Sequence, residues 1–214
     1  FDKELNDENI NEYFKKLNNK KISQKTKQRI MSSIIQYADW NNNNYKNKID
    51  IKRIDFKTGI YLPETLSVNE MIILIDSLEH KNYINSRNKT ILDFMYSTAC
   101  RVSELCDVKI SDIDFDEEYV KLTGKGNKQR LVPIGSALKE NLIEYLRFRN
   151  KFSKNENPFL FLSKNNNKLE RTSIYRIVKK IANNNKINTN IHPHTLRHSA
   201  ATHMLESGCD LRTL

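Results

Sequence analysis

Three short stretches concentrate side chains able to handle an anion or a proton. In Thr98-Ala99-Cys100-Arg101-Val102-Ser103-Glu104-Leu105 an arginine stands at a helix junction with an acid three residues on. Positions i and i+3 share a helix face, so Glu104 could orient the guanidinium or simply pair with it on the surface. In Gly124-Lys125-Gly126-Asn127-Lys128-Gln129-Arg130 three cations crowd a turn whose glycines let the backbone approach a phosphate. The GxxxxGK[ST] phosphate loop is not there, and a basic turn on its own is ordinarily just solvated. In His192-Pro193-His194-Thr195-Leu196-Arg197-His198, Pro193 suits a helix's first turn. His194 and Arg197 then lie one turn apart, near a helix N-terminus that favours an anion. His194 and His198 are spaced i, i+4, but HExxH is lacking and no carboxylate lies nearby, so no metal site is expected. His203, among Ala200, Met204 and Leu205, is expected as a packed core histidine.

Taken together and in this order, an Arg at a helix start, a Lys on a β-turn and then HxxR, the patches resemble the catalytic domain of the tyrosine recombinases, or phage integrase family. Within it the likeness is greatest to the Xer-like and integrase-type bacterial site-specific recombinases. It runs from about Leu62 to Leu214 and is strongest in "TACRVSELCDV", "GKGNKQRLVPIG" and "HPHTLRHSAATHMLESGCDLRTL". The resemblance implies that Arg101 and Arg197 hold the scissile phosphate, that Lys125 is the general acid, that His194 moves a proton at the nucleophile and that Glu104 supports the first arginine. It implies cleavage and rejoining of DNA through a 3′-phosphotyrosyl link, with neither metal, ATP nor other cofactor. The partner would be a double-stranded DNA recombination site, bound as a clamp and, in the full-length protein, by a homotetramer. Lys128 and Arg130 on the turn, with Lys25, Lys27 and Arg29 near the N-terminus, are candidate DNA contacts.

Physical chemistry agrees with those roles. A phosphodiester under attack gathers negative charge on its equatorial oxygens, and two planar guanidiniums can hold that charge bidentately. The leaving 5′-oxygen needs a proton, which a lysine ammonium can supply. One departure from the family is plain. Its nucleophile is a tyrosine beyond HxxR, preceded by a His or Trp, whereas all 9 Tyr of this sequence lie at or before Tyr175. Tyr175, with Ile174, Ile177 and Val178 around it on a predicted helix, is expected in the core. Both ends of the sequence look cut, and the chain as given is expected to bind DNA but not cleave it. The rival reading is a non-catalytic DNA-binding fragment or regulator derived from a recombinase. A nuclease is a weaker alternative.

The elements that must position these residues are mostly helices. Ile10, Tyr13, Phe14 and Leu17 follow i, i+3, i+4, i+7 spacing, and a second helix runs from about Ser23 to Trp40, ended by the asparagines 41–44. Residues 1–48 are expected as a partial helical core-binding domain, 49–63 as a basic linker and 64–214 as the catalytic domain. The latter opens with Ser67 as N-cap and Glu70 three residues on, with Val68, Met71, Ile72, Ile75 and Leu78 as the apolar face. Helices follow around 91–99, 102–108, 138–149, 172–182 and 193–206. Strands are expected at Tyr119–Thr123, Arg130–Val132 and, third, Phe159–Leu162. The fold class is mainly α with a small antiparallel β-sheet (α+β).

Composition agrees with a polyanionic partner. The 214 residues carry 36 Lys+Arg against 26 Asp+Glu, a net charge of +10. The excess is not confined to one half: the first 60 residues hold 13 basic and 8 acidic residues. No apolar run approaches the roughly 18 residues that a membrane helix needs. Three scattered cysteines without CxxC spacing suggest reduced thiols in a cytoplasmic protein.

Overall fold

Asn6 opens the first helix by accepting the Asn9 N–H at 2.9 Å, and Asp7 and Glu8 sit in its first turn where the helix dipole favours acids. The computed structural model describes residues 5–45, 48–57, 65–153, 157–187 and 191–210. The chain divides into two compact units, Phe1–Leu62 and Pro63–Leu214.

The first unit holds α1 (Asp7–Asn19) and α2 (Gln24–Asn44), with Ser23 capping α2. Ile10, Phe14, Leu17 and Met31 are buried between them. α2 runs through the asparagines expected to end it. Asn42 explains this, since its amide both accepts from the Ile49 N–H and donates to the Ile49 carbonyl, and Asn44 bonds the Trp40 carbonyl. These side chains support the helix and its exit instead of competing with it. Ile51, Ile54 and Phe56, in the stretch expected as linker, pack on the same cluster, with Phe14 and Phe56 ring centroids 4.8 Å apart.

In the second unit the Ser67/Glu70 capping box starts α3 (Val68–Asp76), with both reciprocal hydrogen bonds made. α3 buries Met71 and Leu74, while Val68 and Ile72 of the expected apolar face stay exposed. α4 (Tyr83–Thr98) is the central element, burying Ile91, Leu92, Phe94 and Met95. The short α5 (Val102–Asp107) leads to a three-stranded antiparallel sheet of β1 (Ile113–Asp114), β2 (Tyr119–Thr123) and β3 (Gln129–Pro133), in that order. α6 (Ser136–Phe152), α7 (Arg171–Asn184) and α8 (Pro193–Glu206) complete it, α6 and α8 packing on α4.

The third strand is therefore β1, two residues long, and not Phe159–Leu162, which makes only isolated bridges at Phe159 and Leu162. Leu160, Phe161 and Leu162 are apolar because they are buried. Side chains take up much of the segment's hydrogen bonding. Tyr145 Oη and Arg149 Nε donate to the Leu160 carbonyl, Arg149 also reaches Asn157 and Phe159, and Tyr83 and Arg87 share the Leu162 carbonyl.

Candidate active site

The site is built at the corner between α4 and α5. Ala99 ends α4 in the left-handed region (φ 45°, ψ 32°), turning the chain so that Arg101 stands at the N-cap of α5. Glu104, three residues into that helix, turns back. It accepts the Arg101 backbone N–H on Oε2 at 2.8 Å and the Arg101 Nη1 on Oε1 at 2.9 Å. Arg130 completes the arrangement, its two terminal nitrogens donating to the two carboxylate oxygens at 2.9 Å each. The Glu104 side chain is only 1% exposed. Burial by itself would raise its pKa, but the hydrogen bonds from Arg130 and Arg101 outweigh it and hold the carboxyl down at about 2. Arg101 keeps 54% of its side chain exposed and so presents free donors outward.

α8 supplies the second half. His192 caps it, accepting the Thr195 N–H on Nδ1, and Pro193 follows at the first helical position. His194 is exposed on that first turn, and Arg197 one turn later reaches back to donate to the Ala99 carbonyl. Burial and the nearby Arg101 charge push the Arg197 guanidinium below its usual value. It stays a cation in water; burial is the larger cause of the depression, and the Arg101 charge adds to it. Arg101, Arg197 and His194 line a single open cleft of about 410 Å³, shared with Arg171, Thr172 and Tyr175 of α7. Three arginines, one imidazole and no carboxylate on the wall make this a receptor for an anion such as a phosphodiester.

Lys125 lies beside the cleft and not in its wall. It begins a 3₁₀ turn, Lys125–Asn127, at the tip of the β2–β3 hairpin, exposed and without a hydrogen bond or ion pair among the described residues. Gly126 (φ 74°) and Asn127 (φ 59°) take the left-handed conformations that let the tip reverse. Gly124 joins the hairpin to the arginine corner. A Cβ there would lie 3.0 Å from Glu104 Oε1 and 3.8 Å from Arg101 Nη1.

The candidate DNA contacts separate. Lys25, Arg29 and Lys128 are exposed. Lys27 is buried, its ammonium bonded to Asn18 Oδ1, so it is turned away from a DNA surface. Arg130 is committed to Glu104. The alternation along β3 carried that signal, since Arg130 and Val132 point to the covered side while Leu131 is 62% exposed. A cation on the covered side of a strand needs a carboxylate.

Tyr175 differs from expectation. It is 37% exposed on the cleft wall, its ring 6.3 Å from the rings of both His192 and His194. The buried residues of that helix are Ile174, Val178, Ile181 and Ala182. His203 is half-buried, with Nδ1 3.0 Å from the Tyr96 hydroxyl. Among the described residues no group of three His, Cys, Asp or Glu is placed to hold a metal ion, and no helix is long and apolar enough to cross a membrane. Burial pushes the Cys100 thiol up to about 12 and Cys106 to about 11, so neither offers a thiolate at neutral pH.

A mainly helical fold with a small sheet, bearing Arg101 and the HxxR of His194 and Arg197 in one cleft, defines a class, and the comparisons agree: the chain belongs to the phage integrase family, which matches residues 64–214. Its relatives are tyrosine recombinases. It is 39% identical over 160 residues to tyrosine recombinase XerD of Corynebacterium glutamicum, covering 73% of this chain and 53% of that protein. It is 38% identical over 159 residues to tyrosine recombinase XerC of Thermodesulfovibrio yellowstonii, covering 72% and 52%. The chain thus spans about half the length of the curated relatives it matches. Among solved structures, the XerA recombinase superposes with a TM-score of 0.65 at 26% identity, over 96% of this chain and 71% of that one. XerH bound to palindromic difH substrate in a post-cleavage complex shares the fold, with a TM-score of 0.78 at 24% identity over 96% and 63%.

Proposed function

We propose that the protein containing these 214 residues is a site-specific DNA recombinase that cuts and rejoins duplex DNA through a tyrosine. The observation that carries this is the cleft in which Arg101 and Arg197 converge beside His194, backed by a buried, ionised Glu104. In this reading the two guanidiniums grip the non-bridging oxygens of the scissile phosphate and hold tighter as charge grows on them. A tyrosine oxygen bonds to phosphorus while its proton passes to His194. The bond from phosphorus to the 5′-oxygen breaks, and Lys125 gives that oxygen a proton. The phosphate stays linked to the enzyme at the 3′ side, so a second 5′-hydroxyl can reverse the step on a new partner strand. The protein would act in the cytoplasm as a homotetramer on its DNA site.

A second reading concerns the 214 residues taken by themselves. None of the 9 Tyr follows Arg197 within the 214 residues. These residues by themselves would then bind duplex DNA without cleaving it, as a non-catalytic fragment or regulator.

Nicked suicide duplexes test both. The natural protein should yield a 3′-linked covalent adduct on denaturing gels, and the 214 residues alone should yield none. A natural protein that binds the duplex but forms no adduct would leave only the second reading. An adduct from the 214 residues that vanishes in Tyr175→Phe would make Tyr175 the nucleophile.

A further inference from the structure

We infer that Arg130 is a positioning residue of the recombinase site and not a DNA contact: it holds Glu104 so that Arg101 keeps its charge for the phosphate and the Lys125 hairpin stays registered against Arg101. The inference rests on the recombinase reading.

The hydrogen bonding of Glu104 is complete. Oε1 accepts from Arg101 Nη1 and Arg130 Nη1, and Oε2 accepts from the Arg101 backbone and Arg130 Nη2. A carboxylate has about four lone-pair sites, and all four are used. The guanidinium fork of Arg130 faces the carboxylate bidentately, the arrangement that a DNA phosphate would need to displace. Its side chain is 27% exposed, against 54% for Arg101. Of the two arginines on this carboxylate, Arg101 faces outward and Arg130 is spent inward.

Charge gives the reason for two arginines. Glu104 with Arg101 alone sums to zero, which would cancel the cation that the cleft needs. With Arg130 added the group carries one net positive charge, and it sits at Arg101. Geometry gives the second reason. Arg130 lies opposite Leu122 in the β2–β3 ladder, and the Gly124 N–H closes the turn on the Lys128 carbonyl at 2.8 Å. Gly124 packs so closely on Glu104 Oε1 that a Cβ would sit 3.0 Å away. Arg130 and Gly124 thus fix the hairpin to Glu104 on both sides of Lys125.

The test uses the natural protein and a suicide duplex, reading binding and adduct formation separately, with thermal melts to show that each variant is folded. Arg130→Ala should slow adduct formation ~10²-fold, the scale of a small misplacement in an active site. Its DNA affinity should fall far less than its cleavage rate and its salt slope should stay as in wild type, because Arg101 still makes the phosphate contact, whereas loss of a phosphate contact would reduce the slope by about 1. Adding Glu104→Gln to Arg130→Ala should speed cleavage again, because the unshared negative charge beside Arg101 is gone. Gly124→Ala, which changes no charge, should also slow cleavage and leave binding intact. A reduced salt slope in Arg130→Ala, or effects of Arg130→Ala and Glu104→Gln that multiply, would overturn the inference. So would wild-type cleavage by Arg130→Ala. A wild-type protein that forms no adduct would instead bring down the recombinase reading itself, and this inference with it.

Discussion

Arg197, on the helix that begins at Pro193, donates through Nη1 to the carbonyl of Ala99, the residue whose left-handed backbone turns α4 into the Arg101 corner. One hydrogen bond therefore ties the Arg197 helix to the Arg101 corner across 98 residues of sequence. The distance between them depends on an alanine in a conformation that L-residues adopt at a cost.

That dependence is testable at Ala99. A β-branched side chain is poorly tolerated at positive φ, and Ala99 is buried as well. Ala99→Val should lower unfolding stability by about 1–3 kcal/mol. Urea denaturation measures it, and an unchanged midpoint would show that the corner is not under the constraint described.

Glu104 should also make stability depend on pH. Its folded pKa of about 2 lies below the ordinary value of 4.5, so the folded state favours the ionised form. That contribution is complete above the unfolded pKa and is lost as pH falls through about 4.5 towards 2. At one pKa unit per 1.36 kcal/mol it amounts to roughly 3 kcal/mol. Denaturation curves between pH 6 and 3 should show about 2 kcal/mol of this loss in wild type and a shallower one in Glu104→Gln. Equal slopes for the two proteins would remove Glu104 from the account.

Duplex DNA binding by the 214 residues should weaken steeply with salt. The +10 charge motivates it, and about six neutralised phosphates give a slope of log K against log salt near −5. Fluorescence anisotropy across a salt series reads the slope directly. Affinity that does not move with salt would contradict a phosphate-binding surface.

The features legible in the sequence were those made by neighbours in the chain. Ser67 with Glu70, Pro193, and the glycines around Lys125 announce a cap, a helix start and a hairpin tip without help from the rest of the fold. Arg101 and Glu104 were visible as a pair for the same reason. What escaped was decided by distant partners. Phe159–Leu162 has the composition of a strand, but Tyr83, Arg87, Tyr145 and Arg149 occupy its carbonyls. Lys27 has the look of a DNA contact and instead finds Asn18. Tyr175 stands among apolar neighbours, and only the helix phase shows that Ile174 and Val178 face inward while it faces the cleft.

The division of labour within the cleft can be separated chemically in the natural protein. Lys125→Ala should slow cleavage by about 10²–10⁴-fold, the usual worth of a general acid. A substrate with sulfur in place of the 5′-oxygen should recover that rate, since a thiolate leaves without a proton. Arg197→Ala should not recover on the same substrate, because its phosphate charge is still uncompensated. Absence of rescue for Lys125→Ala would pass the role to another residue, Lys128 first.

The most direct test of the arginine cleft is the rate of covalent adduct formation by Arg101→Ala and Arg197→Ala in the natural protein, measured at saturating DNA. Each should fall by about 10²–10³-fold, the cost of removing one donor to a developing oxyanion, while the duplex still binds. Adduct formation at the wild-type rate by either variant would contradict the claim that these two guanidiniums activate the phosphate.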